Sequence, residues 1–146
     1  VDGTKQGMIQ KLKSKGFTYN QQEDALQGEF NGEEVLIQVQ TQNDKVWRLY
    51  IMDTEFRSEA QMKLRFNKLV GQFENNSKYT PYKESQTIDE NEDISYEISV
   101  NNKQYDAIFF SETGGKVWFM IGTYEMNYFI AMFYESPKNE ADGSDL

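Results

Sequence analysis

The chain has 146 residues, 38% of them hydrophobic and 14% aromatic, which is the composition of one folded domain rather than a disordered chain. Its net charge of −9 makes a nucleic-acid backbone or an anionic membrane surface an unexpected partner. It contains no cysteine and no histidine, which removes disulfides, thiolate nucleophiles, Cys- or His-ligated metals and the Ser-His-Asp triad from consideration.

In chain order, Asp2 or Thr4 can cap a first helix. Met8, Ile9 and Leu12 recur at helical spacing, and Gly16 ends the run. Lysines 11, 13 and 15 fall where cations suit the helix dipole. "ALQGEF" and "EEVLIQVQT" read as strands joined by Asn31-Gly32, a strong hairpin signal. "KVWRLYIMD" is the next strand. From Ser58, the residues Met62, Phe66, Leu69, Val70 and Phe73 form one apolar helical face.

Residues 77–93 are polar, contain Pro81 and read as a long loop. "ISYEISV" at 94–100 alternates apolar and polar residues and reads as a strand, with Asn101-Asn102 as the turn into "KQYDAIFF". Gly114-Gly115 turns the chain into "KVWFMIGTY", followed by "NYFIAMFYE". Residues 137–146 are polar and read as a flexible tail. No run approaches the roughly 20 apolar residues of a transmembrane helix.

These elements predict an α+β domain: an antiparallel sheet of about seven strands with two helices on one face. Lys-Val-Trp opens the strands at Lys45 and at Lys116, in equivalent places in the order of elements. The domain therefore reads as two tandem helix-plus-sheet units, about 1–55 and 56–136. Aligned without a gap, Trp47, Leu49 and Ile51 match Trp118, Met120 and Gly122 and are expected beneath the helices. Arg48 and Tyr50 match Phe119 and Ile121 and are expected on the helix-free face.

"DGTKQGMIQKLKSKGF", "LQGEFNG", "FNKLVGQFENNSKY" and "GKVWFMIGTYEMNYFIAMFYESPKN" together resemble a set of uncharacterised exported proteins of Bacteroides-type bacteria. In these, a "GIP-[IV]-DGT" opening precedes "KGF" and a Gly-x-Phe-x-Gly hairpin. Here Val1-Asp2-Gly3-Thr4 fits the end of that opening and Gly28-Glu29-Phe30-Asn31-Gly32 fits the hairpin. The pattern is also similar to the fold of the β-lactamase inhibitor protein, with its two tandem repeats and concave sheet. The resemblance implies that fold and a periplasmic or secreted address, with the signal peptide outside this chain. It implies no β-lactamase binding.

Candidate chemistry is sparse. Asp89, Asn91 and Asp93 have the 1-3-5 spacing of a calcium loop, but position six is Ile94 rather than Gly and position twelve is Val100 rather than Glu. They are a weak calcium alternative; otherwise no metal or cofactor is expected. Paired carboxylates could serve a glycan-active enzyme, yet no spacing singles out a pair. The second half is apolar on both strand parities. Either the loop 77–93 or a second copy covers the sheet face away from the helices, or that face is a binding surface. The preferred reading is a non-catalytic binding module with Arg48, Tyr50, Phe119 and Ile121 at its site and a protein, or else a glycan, as partner. The alternatives are a homo-oligomerising domain and a carboxylate-based enzyme.

Overall fold

The computed structural model describes residues 3–137. The polar tail expected at 137–146 lies, beyond Pro137, outside the described residues. Eleven elements follow one another: α1 (Lys5–Ser14), β1 (Thr18–Asn20), β2 (Ala25–Phe30), β3 (Glu33–Gln42), β4 (Lys45–Asp53), α2 (Glu59–Glu74), β5 (Tyr79–Pro81), α3 (Ile94–Asn101), β6 (Asp106–Ser111), β7 (Lys116–Tyr124) and β8 (Asn127–Glu135). The strands form one antiparallel sheet in the order β1-β2-β3-β4-β8-β7-β6-β5. The domain is thus α+β, with eight strands rather than seven and three helices rather than two.

Local chemistry explains most of the elements. The Thr4 hydroxyl accepts the Gly7 N–H to start α1, and Gly16 leaves the helix at φ +103°, a conformation that favours glycine. Ser58 and Gln61 form a reciprocal capping box at the start of α2. Asn31-Gly32 and Asn43-Asp44 both place two consecutive residues at positive φ, as the tight turns of β2–β3 and β3–β4 require.

The helices share one side of the sheet. α1 contributes Met8, Ile9 and Leu12 to the core, and α2 contributes Met62, Phe66, Leu69, Val70 and Phe73. Phe73 stacks on Phe109 at 5.2 Å, and Phe66 meets Phe119 edge-on at the same distance. Fully burying each such side chain contributes about 1.5–3 kcal/mol, so these residues fix the sheet–helix register.

Residues 94–101 correct the strand expected there. They form α3, because Asp93 accepts the Tyr96 N–H as an N-cap and Asn102 adopts the left-handed conformation that ends the helix. Ile94 and Ile98, four apart, then meet the core, while Tyr96 and Val100 face solvent. Asn102 is accordingly a helix cap and not a hairpin turn. The two added strands, β1 and β5, are three-residue edge strands. β5 stops at Pro81, and the side-chain amide of Gln86 replaces it by bonding both the N–H and the C=O of Ile108.

The segment after β5 folds over the helical side. Asn67 on α2 exchanges two hydrogen bonds with the backbone of Ile88, and Ile88 is buried in the core. On the opposite face, Phe56 of the β4–α2 link packs on Tyr124 and Phe129 at the β7–β8 turn, and the Tyr82 ring lies 6.3 Å from that of Phe110 near β5.

Candidate functional site

The pairing register sorts the central strands into two faces. Leu49 on β4, Tyr134 on β8 and Val117 on β7 lie opposite one another, as do Ile51, Met132 and Phe119. These rows lie in or against the helix-covered core. The rows between them, Tyr50–Phe133–Trp118 and Met52–Ala131–Met120, lie on the helix-free face.

Of the four predicted site residues, Arg48 and Tyr50 are on the helix-free face. Phe119 and Ile121 are not. They are 0% and 4% exposed and belong to the core beneath the helices. The cause is a register shift in β4, where Gln40 opposes Arg48 but Thr41 opposes Val46. Trp47 is the extra residue of a β-bulge. β7 pairs with β8 without such a shift. Val46 and Val117 both point into the core, but the bulge then moves β4 out of phase by one residue. The counterparts of Arg48 and Tyr50 are therefore Trp118 and Met120. This also corrects the expectation for Trp118 and Met120: both belong to the helix-free face.

The helix-free face is organised around Phe133. Trp118 stacks on it at 4.2 Å with planes 13° apart, and Tyr50 meets it edge-on at 4.9 Å. The Arg48 guanidinium lies 4.8 Å from the Phe133 ring and 4.5 Å from that of Trp47. Such aromatic and cation–π pairs each add about 0.5–1.5 kcal/mol beyond area burial. Burial pushes the Tyr50 phenol above its ordinary pKa, with Arg48 pulling the other way. At one end of the row, Glu135 pairs with Arg48 at 3.4 Å and with Lys116 at 3.3 Å. Gln40 accepts a further hydrogen bond from Arg48 at 2.6 Å. The Trp118 indole N–H is buried and finds no acceptor among the described residues.

A buried ionic cluster, not signalled by any motif, fastens α2 to the sheet. Asp53 is 2% exposed at the core-facing end of β4. Its Oδ2 accepts from Arg57 Nη1 at 3.0 Å and from Arg65 Nε at 3.1 Å, and its Oδ1 accepts from Arg65 Nη2 at 3.0 Å. Arg57 also reaches Glu33, and its backbone bonds to that of Tyr128 in both directions. Glu55 lies 4.0 Å from Arg57 at the exposed edge, so three acids face two bases, and both Asp53 oxygens are already engaged. The cluster braces the link between β4 and α2.

The acidic segment 89–93 is likewise engaged in local structure. Asp89 accepts the Asn91 N–H at 2.8 Å, and Asp93 caps α3. Two lysines meet this segment: the Lys63 ammonium donates to the carbonyls of Glu90 and Glu92, and Lys103 pairs with the Glu92 carboxylate at 2.7 Å. Among the described residues, no three acidic side chains converge on a point that could hold a metal ion. No helix there is long and apolar enough to cross a membrane. No protein-family model, curated protein or solved structure matches the chain.

Proposed function

We propose that this chain is a non-catalytic interaction module that binds a protein partner through the helix-free sheet face. The single observation that carries this reading is the row Tyr50–Phe133–Trp118, with Arg48 at its end, on the face opposite the helix-covered core. Aromatic and Arg side chains on a preorganised sheet are the groups that dominate protein interfaces. The row is flanked by the amides of Gln38 and Gln40 on β3 and by the charges of Glu135 and Lys116, a polar rim around an apolar centre.

The element order supports a further part of the reading, that the domain is two copies of one unit. α1-β1-β2-β3-β4 and α2-β5-β6-β7-β8 each lead with a helix and run from a sheet edge to the β4–β8 seam, with α3 inserted in the second. A tandem unit of this kind, similar to the β-lactamase inhibitor fold, and export to the periplasm or outside the cell go together in the resemblance drawn from the sequence.

A pull-down from periplasmic and envelope extract tests the binding reading. The wild type is expected to retain a specific protein that Tyr50→Ala/Trp118→Ala releases while its circular dichroism is unchanged. Equal retention by both proteins refutes it.

A further inference from the structure

The β7–β8 turn is built from unsuitable residues. Glu125 and Met126 both adopt positive φ, at 49° and 69°. That conformation favours Gly, Asn and Asp, and the turns at Asn31-Gly32 and Asn43-Asp44 use those residues. Met126 is also 93% exposed. Neither backbone preference nor packing within the chain accounts for a methionine at this place.

Aromatic packing and a backbone bridge brace the turn. Tyr124, 57% exposed, stacks on Phe56, 42% exposed, with centroids 5.6 Å apart. Phe56 meets Phe129 edge-on at 5.4 Å, and the Phe129 ring fills the space over Gly122, where a Cβ would come within 2.4 Å. The backbone bridge between Arg57 and Tyr128 ties the hairpin to the β4–α2 link. The result is a preorganised apolar knob. Its flanking acids are Glu125 and Glu55, whose 73%-exposed carboxylate lies 4.0 Å from the largely buried Arg57.

A complementary socket lies elsewhere on the same chain. Between α1 and the sheet is an open cavity of about 230 Å³, below the roughly 300–1,000 Å³ of small-molecule sites and suited to a side chain. Its walls are apolar, with Leu12, Phe30, Leu49 and Tyr134 among them, and its two charged residues are Lys11 and Lys15, both exposed. Neither ammonium forms an ion pair among the described residues.

We propose that the chain associates head to tail, with the Met126 knob of one copy entering the α1 socket of another. Glu55 and Glu125 then meet Lys11 and Lys15. Knob and socket are different surfaces, so the contact is heterologous and builds a ring or a chain of copies rather than a face-to-face dimer. Tyr124 and Phe129 lie at the far end of the helix-free face, beyond the Met120–Ala131 row, so this association uses a different part of that face from the Tyr50–Phe133–Trp118 row.

Sedimentation velocity at about 0.15 M salt, where the Debye length is about 8 Å and overall repulsion is screened, tests the proposal. The wild type is expected to show a sedimentation coefficient that rises with concentration. Glu125→Asn/Met126→Gly relieves the turn and removes the knob. It is expected to melt higher yet associate roughly tenfold or more weakly, so misfolding cannot explain the loss. Glu55→Lys/Glu125→Lys and Lys11→Glu/Lys15→Glu are each expected to be monomeric alone and to form a complex when mixed. A wild type that stays monomeric at millimolar concentration overturns the proposal. So does a tip variant that associates like the wild type, or a wild type that binds zwitterionic vesicles through Met126 without associating with itself.

Discussion

Trp118 and Phe133 face each other across β7 and β8 with ring centroids 4.2 Å apart and planes only 13° from parallel. The pair lies on the face opposite the helices, and Tyr50 and Arg48 close on Phe133 from the neighbouring strand. The rings pack on one another within the chain itself, so a partner at this face would meet side chains already in contact.

Phe133 and Trp118 are expected to respond differently to truncation. Phe133 is buried between its neighbours, so Phe133→Ala should cost about 3–5 kcal/mol of stability. Trp118 is half-buried, and Trp118→Ala should cost less than that while still weakening binding. Urea denaturation of the two variants checks the order. Phe119→Ala, although next in sequence to Trp118, removes a core ring packed on Phe66 and Phe73 and should destabilise as severely as Phe133→Ala.

Asp53 is the keystone of the buried ionic cluster. Asp53→Asn leaves Arg57 and Arg65 without its charge and should cost about 3–5 kcal/mol. Glu33, more exposed and paired with Arg57 alone within the cluster, should cost about 1 kcal/mol or less when changed to Gln. Denaturation midpoints of the two variants distinguish the positions.

Much of the fold was legible in the sequence, because it is written in short-range chemistry. The cap at Thr4, the helical apolar face from Met62 to Phe73 and the Asn31-Gly32 turn all act locally. What escaped depends on tertiary context. Ile94, Tyr96, Ile98 and Val100 alternate like a strand, but Ile94 and Ile98 are also one helical turn apart, and the caps Asp93 and Asn102 decide between the two. The bulge at Trp47 exists only in the pairing of β3 with β4, and no residue type announces it. It made half the expected site fall in the core, since a one-residue slip exchanges the faces of a strand. The excess of aromatics on both parities of the second half was the signal that could have found Trp118 and Phe133.

The cap assignment gives a direct check on α3. Asp93→Ala should lower helix content at 94–101 and cost about 1 kcal/mol. Backbone chemical shifts of that segment report it, and extended values in the wild type contradict the helix.

Alkaline pH should destabilise the domain through Tyr134. Burial raises its phenol well above the ordinary tyrosine pKa. The folded state then holds its proton while the unfolded state loses it. Stability is full below the ordinary value near 10 and falls as pH rises from there toward the folded pKa. Tyr134→Phe should flatten that decline in a denaturation series from pH 8 to 11.

Asp24 works in the opposite direction. Hydrogen bonds from Lys5 and then Tyr19 hold its carboxyl below the ordinary aspartate value. Its contribution is present above that ordinary value and is lost as pH falls through the lowered folded pKa. A carboxylate titration followed by NMR should place Asp24 below the ordinary aspartate value, and Lys5→Met should move it up.

The openness of the helix-free face is the central claim, and hydroxyl-radical footprinting of the full chain at monomer concentration measures it most directly. Met52 and Met120 flank Ala131 at the centre of that face, Met62 is fully buried under the helices, and Met126 stands in solvent. The account predicts oxidation of Met52 and Met120 at rates between those of Met126 and Met62, and protection of both when a partner is bound. If Met52 and Met120 are as protected as Met62 in the isolated chain, the face is covered and the account is wrong.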